Sequence, residues 1–216
     1  MLKRTFLLAI VLTLTPLAIG ACDGKGSELT YTAPFEIGVT AGNFLPGTEL
    51  QYLGMDSDRA EVTIKGQRAL KQKGDSLSWE GQVHEGVSLD LESRVLWFDE
   101  STLHVGGTAK VTVKDATARA ATPPESAPLT FGNAPVAYTV KKGERIPGTL
   151  LTYKGKADEG IELGGTDDYP YRKVGDSIVW TGALKENVWL ELDLRVGVYT
   201  DQALTLAGLV SIWIEP

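Results

Sequence analysis

The chain has 216 residues, about 43% hydrophobic and 23% charged, which is enough apolar material for one large or two small globular cores. Its formal charge is −7, and loss of Lys3 and Arg4 with an N-terminal signal would take the remainder to about −9, so phosphate backbones and anionic headgroups are unfavourable partners. A single cysteine and two histidines leave no disulfide, no Cys/His zinc cluster and few general bases, and no cofactor is expected.

Lys3 and Arg4 are followed by an apolar run from Phe6 to about Leu14, with Pro16 near its end, and then by Ile19-Gly20-Ala21-Cys22. The run is short for a membrane span and has the shape of a signal segment. The only cysteine stands directly behind an aliphatic residue and two small ones. Residues 1–22 thereby resemble the lipobox signal of bacterial lipoproteins. The resemblance implies cleavage after residue 21 and a diacylglyceryl thioether on Cys22, holding the protein on the membrane outside the cytoplasm. Two or more acyl chains anchor stably where one binds marginally. Asp23 behind the cysteine implies inner-membrane retention where an outer membrane exists. Residues 22–28 form a tether whose stretch from Asp23 to Glu28 spans at most about 20 Å.

Sliding the sequence by 101 residues superimposes its halves. Ala33-Pro34 meets Ala134-Pro135, Pro46-Gly47-Thr48 meets Pro147-Gly148-Thr149, and Tyr52 and Gly54 meet Tyr153 and Gly155. Gly74-Asp75-Ser76 meets Gly175-Asp176-Ser177, and Trp79 and Gly81 meet Trp180 and Gly182. Val87, Leu89, Leu91, Arg94 and Val95 meet Val188, Leu190, Leu192, Arg195 and Val196. Such a register marks an internal duplication. It predicts domains at 29–115 and 129–216, joined by an Ala/Thr/Pro-rich linker at 116–128.

Within each repeat the apolar period is two. Val188, Leu190, Leu192, Leu194, Val196 and Val198 alternate with Trp189, Glu191, Asp193, Arg195, Gly197 and Tyr199. Leu204, Leu206, Gly208, Val210, Ile212 and Ile214 alternate with a second polar-parity set, and Thr200-Asp201-Gln202 suits the hairpin between them. The first repeat does the same over 87–98 and 103–113, with shorter strands expected at 35–40, 48–54, 60–65 and 76–83. No helical period persists in the mature chain. The fold class is therefore all-β: two tandem homologous β-sandwich or small-barrel domains, mostly antiparallel, with six to eight strands each.

Pro-Gly and Gly-Asp-Ser read as turns, and Trp79 and Trp180 as core. Arg94 and Arg195, beside Glu92 and Asp193, read as exposed ion pairs. No Ser-His-Asp set is shared: His84 meets Lys185 and His104 meets Thr205. Gly-Asp-Ser precedes a strand and is not Gly-x-Ser-x-Gly. Asp56, Asp58 and Glu61, and Asp158, Glu159, Asp167 and Asp168, resemble loose calcium loops without EF-hand spacing, and no metal site is expected.

The repeats differ on the polar-parity face. The second has Trp189, Leu209 and Trp213 where the first has Ser88, Thr108 and Thr112, and Tyr199 where the first has Phe98; it also carries Tyr169-Pro170-Tyr171 in a loop. Apolar side chains on one outer face call for a cover: the other domain, a glycan or an envelope protein. The expectation is a non-catalytic binding or structural module recognising its partner through Trp189, Tyr199, Leu209 and Trp213. The alternative is an envelope carbohydrate hydrolase using carboxylates such as Asp75 or Asp176.

Overall fold

The computed structural model describes residues 27–216, so the signal segment and Cys22 lie outside the described residues. Strand β1 (Ser27–Thr40) already takes in the last two residues of the expected tether. Then follow β2 (Leu50–Asp56), β3 (Arg59–Ile64), β4 (Gln67–Lys71), β5 (Ser76–His84), β6 (Val87–Phe98) and β7 (Thr102–Ala116). A short β8 (Arg119–Ala120) precedes β9 (Leu129–Lys141), β10 (Thr152–Ala157), β11 (Gly160–Gly164), β12 (Tyr171–Arg172), β13 (Ser177–Lys185), β14 (Val188–Tyr199) and β15 (Ala203–Ile214). No helix occurs among the described residues.

Each repeat builds one long antiparallel sheet and one small one. The main sheets run β1-β7-β6-β5 and β8-β13-β14-β15-β9, and the small ones β2-β3-β4 and β10-β11-β12. None closes into a barrel, so the molecule is built of open, sandwich-type sheets, and the edge strands β1 and β9 of the two main sheets pack on each other. Alternation explains which face is covered: Val87, Leu89, Leu91 and Val95 are buried on β6, as are Val188, Leu190, Leu192, Leu194 and Val196 on β14. Where β14 has Leu194, β6 has Ser93; that buried hydroxyl donates to the Leu77 carbonyl, which satisfies it.

The residues common to the repeats resolve into backbone requirements. Leu45-Pro46-Gly47-Thr48 forms a type II turn in which Pro sets one φ and Gly47 takes +69°, with the Thr48 N–H donating to the Leu45 carbonyl at 3.0 Å. Thr48 and Thr149 close the turn's base, each hydroxyl donating to the carbonyl three residues back and accepting the N–H two residues on. Tyr52 and Tyr153 are buried and donate their hydroxyls to the Asp99 and Thr200 carbonyls, pinning each small sheet to the hairpin of its main sheet. The Trp79 indole lies over Gly81: a Cβ there would come within 2.6 Å of the ring, and the same holds for Trp180 over Gly182.

Buried side chains from both repeats join in one continuous apolar cluster. Phe35 meets Phe131 edge-on at 6.2 Å. Tyr31 reaches over Gly148 toward Leu190. Burial raises the pKa of Tyr31 well above its ordinary value and pushes that of Tyr138 to about 12, so both hydroxyls stay protonated. A cavity of about 20 Å³ between Phe35, Leu45, Leu91, Leu129 and Phe131 holds at most a single water. The stretch expected as a linker is partly structured: Ala116 ends β7, the Thr117 N–H donates to the Leu184 carbonyl at 2.8 Å, and Arg119 and Ala120 pair with Ala183 and Gly182.

Candidate functional site

The outer face of the second main sheet is built in cross-strand rows. Trp189 on β14 stands between Ala183 and Trp213, and Trp213 faces Thr130. Two residues along, Glu191 faces Ser211. The next row runs Val179, Asp193, Leu209, Pro135, and the one after it Ser177, Arg195, Ala207, Ala137. Val179 is 62% exposed and Leu209 46%, while both tryptophans are half-buried. Leu209, Pro135, Ala207 and Ala137 therefore form an exposed apolar band on β15 and β9, edged by Asp193 and Arg195 of β14, with the exposed Val179 beyond Asp193 on β13.

The corresponding face of the first main sheet is polar but for Pro34. Its rows run Gln82, Ser88, Thr112, Thr30; Glu80, Asp90, Lys110, Thr32; and Ser78, Glu92, Thr108, Pro34. The same backbone thus carries a solvated face in one repeat and a partly apolar one in the other.

Of the four expected face residues, the fold brings Trp189 and Trp213 directly opposite each other and puts Leu209 two rows away. Tyr199 is not with them. A bulge between Val196 and Tyr199 reverses the parity of β14, so Tyr199 pairs with the buried Leu204 and packs against the core, while Val198, expected inside, is 74% exposed. The first repeat bulges at the same place, and Phe98 packs inward like Tyr199.

The carboxylates proposed for chemistry are held in turns. Asp75 accepts the Gln72 N–H at 2.8 Å and Asp176 the Lys173 N–H at 2.7 Å, while Gly74 and Gly175 (both φ +89°) make the reversal that follows. Both turns are tied to β6 or β14 by paired backbone bonds with Val95 or Val196. Arg94 donates to the Gly74 carbonyl at 2.9 Å and Arg195 to the Ser177 hydroxyl, so these arginines serve the same turns where ion pairs with Glu92 and Asp193 were expected. In the first acidic cluster Arg68 binds Glu61 and, at 3.4 Å, Asp56, and Arg59 lies 3.9 Å from Asp58. Among the described residues no group of three Asp, Glu, His or Cys is placed to hold a metal ion.

Two surface features escaped sequence reading. Trp97, brought out by the first repeat's bulge, stacks on His104 at 3.8 Å and 16°, with the His104 Nδ1 3.7 Å from the Glu36 carboxylate. Their counterparts at the 101-residue offset are Val198 and Thr205. On the small sheet of the first repeat Phe44, Leu53, Met55 and Leu70 are exposed, where the second has Arg145, Lys154, Lys156 and Tyr171. The 101-residue register holds the signal for this second difference.

No protein-family model, no curated protein and no solved structure matches the chain.

Proposed function

We propose that this protein is a lipid-anchored, non-catalytic binding module of the cell envelope, carried on the membrane by Cys22 and facing outside the cytoplasm. Its recognition surface is the outer face of the second main sheet, and its partner is another envelope protein. The observation that carries this reading is the contrast between the repeats. One backbone presents Thr108, Glu92 and Ser78 in the first, and Leu209, Asp193 and Val179 at the same places in the second. Apolar side chains at solvent positions gain nothing for the folded monomer and gain on the order of 25 cal/mol per Å² when a partner covers them. A mixed band with half-buried tryptophans suits a protein surface better than a sugar ring, which needs an open aromatic face to stack on. The non-catalytic part of the reading is supported by the use of Asp75 and Asp176 as turn-closing acceptors.

The test is site-specific photocrosslinking in native membranes, with a photoreactive residue at Leu209 or at its counterpart Thr108. A discrete protein adduct at 209 and none at 108 is expected. Equal labelling, or glycan adducts alone, defeats the protein-recognition reading. Mass analysis of the same material decides the anchor separately: the mature chain should begin at Cys22 and carry the mass of a diacylglyceryl group.

A further inference from the structure

β5 and β13 are counterparts in the two repeats, each lying outside the strand that pairs with it, β6 or β14. The edge of β13 is covered. Arg119 and Ala120 lie antiparallel against Ala183 and Gly182, and Thr117 bonds to Leu184 just beyond. Among the described residues no strand pairs with the outer edge of β5.

The two edges have the same local shape. Both carry a tryptophan folded over the glycine two residues on. Both bulge directly after it, between Gln82 and His84 and between Ala183 and Lys185. Both end in a hairpin with a left-handed residue, Gly86 at φ +69° or Asn187 at +60°. In β13 the missing side chain has a second use: a Cβ on Gly182 would come within 2.5 Å of the Arg119 carbonyl, so glycine is what lets the added strand approach. Gly81 leaves the same opening on β5.

The surroundings define the occupant. At the position of Thr181, β5 has Glu80, and the residue paired with it on β6 is Asp90. Two copies of β5 laid edge to edge about Gly81 would bring the Glu80–Asp90 ends of these rows together, with Lys110 one strand further in, which disfavours self-pairing. On the template of Arg119 and Ala120, a strand added to β5 would place its small residue opposite Gly81 and its next residue beside Glu80.

We infer that the outer edge of β5, from Glu80 to Gln82, is a strand-accepting site for an extended segment of a partner protein, with a small residue opposite Gly81 and a basic residue beside Glu80. Main-chain hydrogen bonds would supply affinity, and the small-then-basic pattern specificity. The site is separate from the apolar face of the second repeat and independent of the anchor.

The experiment uses the full chain and a synthetic peptide copying residues 116–122, with lysine in place of the alanine at 121. Backbone amide hydrogen exchange is followed by NMR across all strands. Expected is slowing of about tenfold at the amides of β5 that face the edge, with none at the outer edge of β4, the terminal strand of the small sheet. Glu80→Lys, at an exposed position, should keep the exchange pattern of the other strands, abolish the slowing by the lysine peptide and restore it for a glutamate peptide. No slowing on β5, equal slowing on β4, indifference to the charge exchange, or protection that grows with protein concentration without peptide would each overturn the proposal.

Discussion

Gly208→Ala isolates a close approach that the duplication repeats. Gly208 on β15 faces Leu194 on β14 in the middle of the second main sheet. A Cβ there would collide with the Asp193 carbonyl oxygen and stand 2.8 Å from the Leu194 Cα and 2.9 Å from the Asp193 carbonyl carbon. Carbon atoms pack comfortably at about 3.5–4.0 Å, so roughly 1 Å must be found. Every atom in the way is main chain of the central strand, so no rotamer can supply it. Overpacking a rigid site costs typically 1–3 kcal/mol, and a backbone shift in a central pair puts this variant near the top, at about 3 kcal/mol. With a urea m-value of about 1–3 kcal/mol/M, the midpoint should fall by about 1–3 M at unchanged m. Gly107→Ala should behave alike, since its Cβ would meet the Glu92 carbonyl and lie 2.7 Å from the Ser93 Cα. Gly132→Ala is the control: its nearest neighbour is the Ser211 Oγ at 3.8 Å, and its effect should stay within about 0.5 kcal/mol. If Gly208→Ala and Gly132→Ala unfold at the same urea concentration, the steric account of the shared glycine is wrong.

Tyr52→Phe and Tyr153→Phe should each cost about 1 kcal/mol, because each leaves a hairpin carbonyl without its donor, and the double variant should cost the sum to within about 0.5 kcal/mol; chemical denaturation measures this, and strong coupling would show that the two corners are not independent. Phe131→Ala should cost about 3–5 kcal/mol and lower one calorimetric transition shared by both repeats, because Phe131 and Phe35 belong to a single apolar cluster; a separate transition that alone moves would contradict this. The Asp201 carboxyl is held below the ordinary carboxylate range chiefly by the hydrogen bond from Lys142 at 2.8 Å, so Lys142→Gln should raise its titration midpoint in carbon-detected NMR. A depressed folded-state pKa stabilises the fold above the unfolded value of about 3.9 and loses that support as pH falls through the folded value, so the variant should also show a shallower acid limb of stability. An unmoved Asp201 midpoint would remove Lys142 as the cause.

Strand identity was legible because burying one face of a sheet forces a period of two, and the long runs at 87–98, 103–113, 188–198 and 204–214 satisfy it over many residues. Parity failed where the backbone inserts a residue. Nothing in Val196-Gly197-Val198-Tyr199 marks the bulge, since Val198 continues the apolar alternation; only pairing with β15 shows that Tyr199 takes the inner position. The small-sheet strands β4 and β12, five and two residues long, were missed for a different reason. Edge strands this short carry too few alternating residues for a period, and Gln67-Arg68-Ala69-Leu70-Lys71 is mostly polar or exposed. The face itself was half legible: Trp189, Leu209 and Trp213 announced themselves by breaking the polar parity, whereas the rest of it depends on Pro135, Ala137, Ala207 and, beyond Asp193, Val179 arriving from three different strands.

The duplication makes the molecule its own control. The residues that persist at the 101-residue offset have architectural duties: the Pro-Gly-Thr turn, the Asp that caps its own loop, the Tyr that pins a hairpin, the Trp folded over Gly, the Gly between crowded strands. A position whose identity is fixed by such a duty is poorly free to acquire another. The differences fall where the fold asks only for solubility: the outer sheet face, the outer face of the small sheet, and the rim where Trp97 stacks on His104. At the main face and over most of the small sheet a polar residue is the undemanding choice and one repeat makes it; at the rim neither does, since Trp97 meets the exposed Val198. Where one repeat is polar, the other exposes an apolar or aromatic side chain that gives the isolated fold no stability, and this is the feature that the proposed contact outside the chain accounts for. The first repeat departs at its small sheet and rim and the second at its main face and at Val198, so the face proposed for recognition in the second repeat has no apolar equivalent on the main sheet of the first beyond Pro34.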